Sequence, residues 1–444
     1  MEAVDVRTAA ATAALPVAVI GAGPIGLAAA AHLVERGQTP VVLEAGTDIA
    51  ASIRQWRHVQ LFSPWCVDID AAAARLLASD GWTAPPSDDL PTGGDLIHRY
   101  LEPLARHPAI AAHLQLGHRV TAVARHGIDK VRTPGRDKRP FVLRVATRAG
   151  AEHEILARAV IDASGTWATP NPLGASGLPA VGEHMASDRI VGGLPDVMGV
   201  DRERFAGRRT VVVGAGHSAA TTLLALADLQ GVAPGTGIVW AVRSETPRPL
   251  VGKGDDDELP ARGRIGAALS GLVSSGRVDL ATGFRTRAVE RRGDEVVLVD
   301  GDRDRCIAGH QVVAATGFRP DHSIGAELRL RLDPALDSAA DLAPLIDPNV
   351  HDCGSVPPHG ARQLAHPEHG YWIAGTKSYG RAPTFLLATG YEQVRSVVAA
   401  LVGDQAAADE VRLALPTDGG CPAHLPGSAP DACAGSTRVA VPAA

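Results

Sequence analysis

The residues best placed to do chemistry lie in two short glycine-rich segments. Gly21-Ala22-Gly23-Pro24-Ile25-Gly26 follows the apolar run Val17-Ala18-Val19-Ile20, and Gly214-Ala215-Gly216-His217-Ser218-Ala219 follows Val211-Val212-Val213. Each has the spacing of a dinucleotide-binding turn between a strand and a helix. The first glycine permits the tight turn, the second lets a pyrophosphate approach the backbone, and the third position stays small so that helix and strand pack closely. Unpaired N–H groups and the positive dipole end at the helix start then face the phosphates. Two such turns in one chain imply two dinucleotides, with electrons moving between them.

The two turns ask for different ligands. After Gly26 the pattern is helical through Leu33 and Val34, stops at Gly37, and re-enters a strand, Val41-Val42-Leu43-Glu44. An acid about 20 residues beyond the fingerprint accepts hydrogen bonds from ribose hydroxyls and repels a 2′-phosphate. Glu44 therefore suits FAD or NAD, not NADP. In the second copy the strand Ile238-Val239-Trp240-Ala241-Val242 leads to Arg243. A guanidinium there pairs bidentately with a 2′-phosphate, which points to NADPH.

The 444 residues allow two or three domains with substantial cores. A net charge of −6 argues against nucleic acid or an anionic membrane as partner. The four lysines (Lys130, Lys138, Lys253, Lys377) leave nearly all positive charge to arginine, a skew read as codon bias. The apolar stretch Leu15 to Val34 is long enough for a membrane span, but its glycines fall where a strand–turn–helix needs them. The opening residues show no basic-then-apolar leader. Cys66, Cys306, Cys353, Cys421 and Cys433 form no CxxC or CxxxxC, so a redox pair of the usual spacing is not expected and scattered thiols suit a cytoplasmic location.

The fold class read from these patterns is α/β, with two Rossmann-like dinucleotide-binding domains, the NADPH domain inserted into the FAD domain. Ala159-Val160-Ile161-Asp162-Ala163-Ser164-Gly165 and Val312-Val313-Ala314-Ala315-Thr316-Gly317 echo each other on either side of the second fingerprint. The expected division is a flexible tail over 1–14, an FAD domain over 15–168 and 317–403, an NADPH domain over 169–316, and a disordered tail over 404–444. A helix is expected from Gly94. Strands are expected at 118–123 and 141–145, with a turn at 133–137 between them. The stretch 246–264 reads as a surface loop or lid. A last helix is expected from Tyr391 to Val402, with Thr389 and Glu392 as a capping box and Gly403 as the C-cap.

Taken together these features resemble the two-dinucleotide flavoproteins, and within them the flavin-containing monooxygenases. The resemblance covers residues 15–403. It rests on both fingerprints, on Ala315-Thr316-Gly317 followed by Arg319-Pro320, and on Ser164-Gly165-Thr166-Trp167 leading to Pro170-Asn171. Arg54 to Trp65 is similar to the segment that passes beside the flavin ring in that family. Lys377 to Phe385, with Val356 to Gly360, is nearest to a bacterial branch associated with arsenic-resistance genes. Two departures stand out. The family's aromatic–Gly–x3–His block is absent from Arg189 to Asp196, and Ser63 stands where many members place an Asn beside the flavin.

The resemblance implies FAD, NADPH, O2 and a small-molecule substrate, with one oxygen passing from a C4a-(hydro)peroxyflavin to a soft nucleophilic atom (N, S, Se or As). Ser63 would donate to the peroxide, and Arg57 and His58 would place positive charge near reduced flavin. The expected FAD contacts are Gly21, Gly23, Pro24, Ile25, Gly26, Glu44, Trp56, Val120, Ala163, Ser164 and Gly165. Those to NADPH are Gly214, Gly216, His217, Ser218 and Arg243, with Ala315, Thr316 and Gly317 at the crossing. Leu386, Leu387 and Gly390 would bring a helix dipole to the reduced flavin. His351, Cys353, His359, His366 and His369 match no familiar zinc spacing, so no metal is expected. Cys421 and Cys433 read as tail thiols. Oligomeric state stays open, a homodimer included. The rival readings are an NADPH-dependent flavoprotein reductase or oxidase without oxygen transfer, and a non-catalytic redox sensor.

Overall fold

The computed structural model describes residues 14–245, 259–301, 305–350, 356–383 and 385–413. The chain opens with strand β1 (Val17–Ile20), every residue buried, and turns into helix α1 (Pro24–Glu35). Pro24 falls in the first turn, where the missing N–H would have had no partner. The run Ala28 to Ala31 is buried, and its small side chains let α1 lie close against its neighbours. Gly37, at φ +66, ends the helix and turns the chain into β2 (Pro40–Glu44), parallel to β1.

β3 (Leu114–Leu116) pairs with β2, and a three-stranded antiparallel sheet comes next: β4 (His118–Arg125), β5 (Phe141–Thr147) and β6 (Glu152–Ala157). Val120, Val123, Phe141 and Leu143 from that sheet close over Ala18, Ile20, Val41 and Leu43. β7 (Ala159–Asp162) then returns to the free side of β1.

The same plan repeats. β8 (Ile190–Gly192) and β9 (Arg209–Val213) precede helix α2 (His217–Val232), and β10 (Gly237–Ala241) lies parallel to β9. Helix α3 (Pro260–Ser274) leads to β11 (Asp279–Ala281). A second antiparallel trio, β12 (Thr286–Arg292), β13 (Glu295–Asp300) and β14 (Cys306–Gly309), precedes β15 (Gln311–Ala314), which returns to the free side of β9. β16 (Tyr371–Ile373) rejoins the first sheet beside β7, and helices α4 (Leu387–Leu401) and α5 (Gln405–Asp409) come last. The sheet orders are β16-β7-β1-β2-β3 and β11-β10-β9-β15-β8. In each, the strand that carries the glycine turn is central and wholly parallel to its neighbours.

The α/β expectation holds, and the stretch from Leu15 to Val34 is a strand, a turn and a helix. Among the described residues no helix is long and apolar enough to cross a membrane. Several details differ from the sequence reading. β6 is a third strand where two were expected. Residues 260–264, assigned to a loop, open α3, because Pro260 sits well in a first turn; 246–258 lie outside the described residues. The last helix starts at Leu387, four residues before Tyr391, and Thr389 is inside it, so the expected capping box does not form. Gly403 does end that region, at φ +83. Within the tail expected over 404–444, residues 405–409 form α5, capped by Asp404; 414–444 and residues 1–13 of the expected N-terminal tail lie outside the described residues.

Candidate active site

The first glycine turn is built by exclusion. A Cβ on Gly21, at φ +99, would lie 2.7 Å from the carbonyl oxygen of Ala163, where the loop after β7 crosses. A Cβ on Gly26 would fall 1.9 Å from the oxygen of Gly21, so α1 packs directly on its own turn. Gly23 has nothing within 4 Å of its Cβ position, and α1 begins there without a side-chain cap. The result is an open backbone surface with unclaimed N–H donors at a helix start, which is the requirement for a pyrophosphate. Glu44, at the end of β2, accepts from Ala22 N at 2.7 Å and from Gly46 N at 2.7 Å. Each carboxylate oxygen keeps a further acceptor site for a ribose hydroxyl. Val120 is buried beside Val41 and Leu43, under this end of the sheet.

The second turn repeats the construction. A Cβ on Gly214, at φ +132, would meet Ala315 O at 2.1 Å, while Gly216 has open space and α2 starts uncapped. Trp240 Nε1 donates to Gly214 O at 2.7 Å and fixes the turn against β10. The strand registers align the two sites: Ile20 pairs with Leu43, and Val213 with Ala241. The counterpart of Glu44 is therefore Val242, buried and apolar, so no carboxylate stands there to repel a 2′-phosphate. Arg243 comes next, exposed, with one long bond from Nη1 to Ala175 O at 3.4 Å.

The two halves are tied where the chain crosses between sheets. Asn171 N donates to Gly317 O at 2.9 Å, Thr316 Oγ1 to Asn171 O at 2.6 Å, and Arg319 N to Thr169 O at 3.0 Å. Trp167 stacks on Phe318 at 4.9 Å between ring centroids and lies 6.4 Å from Trp56. Further along the same segment Phe62 stacks on His217 at 4.7 Å. That contact brings residues expected beside the flavin ring to the first residue of α2. At the far side α4 begins without a side-chain cap at Leu386, and a Cβ on Gly390 would meet Ile25 Cδ1 at 2.5 Å. The start of α4 therefore abuts the start of α1.

Ser63 is 6 % exposed, and its Oγ lies 2.7 Å from Asp68 Oδ1. Asp68 is fully buried, and burial pushes its carboxyl well above the ordinary range, with the Ser63 hydrogen bond opposing the shift only in part. Sequence reasoning missed Asp68. Arg57 and His58 are placed differently from Ser63: both are exposed in the turn after residue 54. A second missed feature is the buried pair Lys377–Asp162, Nζ to Oδ2 at 2.7 Å. Nζ also donates to Ser164 Oγ at 3.1 Å, and Tyr371 OH donates to Asp162 Oδ2 at 3.0 Å. Burial alone would raise Asp162, but Lys377 and Ser164 hold it below the usual carboxylate range. The signal available was the scarcity of lysine: Lys377 is one of four and lies five positions beyond Trp372.

His359 and His366 are buried and serve separate bonds, Gln393 Nε2 to His359 Nε2 at 2.9 Å and Arg331 N to His366 Nδ1 at 3.3 Å. Burial lowers His366 to about 4. His351, Cys353, Cys421 and Cys433 lie outside the described residues. Cys66 is disulfide-bonded, so the reading of five scattered thiols does not hold for it; Cys306 is free and exposed.

Residues 18–341 match the family described as pyridine nucleotide-disulphide oxidoreductase. Among curated proteins no relative matches the sequence. Solved structures do. The bacillithiol disulfide reductase Bdr (YpdA) from Bacillus cereus aligns with a TM-score of 0.65 at 18 % identity, over 88 % of this chain and 99 % of that one. DfoA bound to FAD, the desferrioxamine biosynthetic pathway cadaverine monooxygenase from Erwinia amylovora, aligns at 0.60 and 16 %, over 88 % and 94 %. The Kutzneria sp. 744 ornithine N-hydroxylase KtzI, with reduced FAD, NADP+ and L-ornithine, aligns at 0.56 and 17 %, over 87 % and 99 %. At these identities the likeness establishes the fold: a two-dinucleotide-binding α/β flavoprotein architecture.

Proposed function

The chain belongs to the pyridine nucleotide-disulphide oxidoreductase family, and we propose that within it the protein is an FAD-dependent, NADPH-consuming monooxygenase. Its substrate would be a small molecule that presents a soft nucleophilic atom, N, S, Se or As, the last in keeping with the arsenic-associated branch it resembles. The observation that carries the reading is the pair of open glycine turns, at Gly23 and Gly216, with the Phe62–His217 stack bringing the segment after residue 54 against the start of α2. Residues 15–168 with 317–403 would hold FAD, and 169–316 NADPH. DfoA bound to FAD and KtzI with reduced FAD and NADP+ support the choice of cofactors.

FAD, when bound, supplies hydride acceptance from NADPH and the activation of O2. The chain supplies the rest. Gly23 and the start of α1 receive the pyrophosphate, and Glu44 the ribose. Gly216, the start of α2 and Arg243 receive NADPH, with His217 at the phosphates or the nicotinamide. The uncapped start of α4 would bring its dipole to the flavin and favour its reduced, anionic form. Ser63, shielded from water, would serve the ring with whatever hydrogen its bond to Asp68 leaves free.

The Cys66 disulfide, three residues beyond Ser63, favours a second reading: an NADPH-dependent reductase without oxygen transfer. Peroxide formed per NADPH oxidised separates the two. In air, with amines, thiols or arsenite in turn, the monooxygenase reading expects one class of substrate to suppress peroxide while NADPH is consumed. If no class lowers the peroxide yield and disulfides drive anaerobic NADPH oxidation, the reductase reading replaces it.

A further inference from the structure

Ser63 Oγ and Asp68 Oδ1 are 2.7 Å apart, so one proton lies between them, and which group donates it decides what Ser63 can do. If Asp68 is a carboxylate, it can only accept, and the Ser63 hydrogen is committed to it. If Asp68 is the neutral acid, it can donate to Ser63 Oγ, and the Ser63 O–H is released to donate elsewhere. We propose that Asp68 is a positioning residue that stays protonated at neutral pH and, by donating to Ser63, makes Ser63 a hydrogen-bond donor toward the flavin. The role toward flavin rests on the monooxygenase reading above; the state of Asp68 does not.

The surroundings select the neutral acid. Asp68 is 0 % exposed, and its second oxygen, Oδ2, is buried without a hydrogen-bond partner. An ionised carboxylate with one oxygen unsatisfied in an apolar setting is strongly disfavoured, and neutralisation is the cheaper outcome. The polar groups packed around it are the Ser63 hydroxyl, Tyr391 of α4, Tyr100, and Asp70, whose carboxylate is paired with His32 of α1 at 3.0 Å. Tyr391 OH donates to the Asp68 backbone oxygen at 2.8 Å, and does not reach the carboxyl. Burial raises both tyrosines well above their ordinary range, so neither supplies a charge. Arg99 lies over the ring of Trp65 at 5.5 Å, and Trp65 itself is 1 % exposed.

The test reads the proton first and the chemistry second. In infrared difference spectra of the holoprotein against Asp68→Asn at neutral pH, a protonated carboxyl band is expected, and Ser63→Ala should shift it by removing its acceptor. Absence of that band, or its indifference to Ser63→Ala, overturns the proposal. In turnover, Asp68→Ala should raise peroxide per NADPH by roughly tenfold, the factor of one hydrogen bond, without slowing flavin reduction by NADPH. Asp68→Asn, whose amide donates to Ser63 as the acid does, should rescue coupling and flatten its decline at high pH. Equal uncoupling in Ala and Asn variants would show that Asp68 only packs, and would also overturn the proposal. If the band behaves as expected but the wild type releases one peroxide per NADPH with every substrate, Asp68 is as proposed and the monooxygenase reading fails.

Discussion

At the residue scale, the glycines separate into two kinds, and the difference is measurable. Gly21 is confined by its φ of +99 and by the Ala163 carbonyl, whereas Gly23 is bounded by nothing. Gly21→Ala should lower thermal stability and flavin content together. Gly23→Val should fold with a near-normal unfolding temperature yet purify colourless, because its side chain fills only the space of the ligand. Yellow Gly23→Val protein with stoichiometric FAD would rule out the first turn as the FAD site. Arg243→Ala should weaken the preference for NADPH over NADH by about ten- to a hundredfold in kcat/KM, the loss of a charge-assisted bond worth roughly 1.5–3 kcal/mol. An unchanged ratio would assign the 2′-phosphate to another group.

Buried polar residues were the part of the site least open to sequence reading. The glycine turns could be found because backbone geometry dictates residue type there, and Glu44 and Arg243 were expected because a ligand's charge would dictate residue type at a set distance from such a turn. Asp162 and Lys377 meet across 215 positions, and no local pattern marks the pairing. It has consequences for pH dependence. The folded pKa of Asp162 lies below its unfolded value, so the pair contributes stability above the ordinary carboxyl range and loses it as pH falls through the folded value. Asp68 is raised, so its contribution has the opposite sense: present at low pH and lost as pH rises. Lys377→Met should cost about 3–5 kcal/mol at neutral pH by leaving Asp162 unpaired. The deficit should shrink in acid; a pH-independent deficit in denaturant titrations would contradict the pairing.

Elements were legible where hydrophobic period and glycine agreed, as in β1, α1 and β2, whose expected bounds lie within three residues of those observed. They were misread where a motif competed with packing. Thr389 and Glu392 fit a capping box, but Gly390 is drawn against Ile25, so the chain is already helical at Leu387. Glu392 turns instead to Arg395 at 2.7 Å. On the proposed reading this displacement matters to function, since it moves the uncapped start of α4 up against that of α1. Gly390→Val should force the helices apart at an overpacking cost of about 1–3 kcal/mol. Reduced FAD should be destabilised relative to oxidised FAD, giving a lower flavin midpoint potential. An unchanged potential would detach the α4 dipole from the flavin.

At the scale of the whole molecule, the second sheet is built entirely from strands lying between β7 and β16 of the first, so two crossings must join the halves. Residues 169–171 and 316–319 bond to one another across the two crossings, and the Phe62–His217 stack adds a contact between the halves. The architecture thus ties the two halves together without deciding the fate of a reduced flavin, which on the proposed reading depends on side chains near Ser63. Fold and cofactor class were readable from the repeat of strand, turn and returning strand. Oxygen transfer was not, since on the proposed reading it would turn on burial at Ser63 and Asp68. The direct measurement is rapid mixing of NADPH-reduced holoenzyme with O2 in the absence of substrate, monitored by flavin absorbance. A monooxygenase should show a transient spectrum distinct from those of reduced and oxidised flavin, shortened in lifetime by about 10²–10³ in Ser63→Ala. Direct return from reduced to oxidised flavin in a single step, with one peroxide released per NADPH, would contradict oxygen transfer at this site.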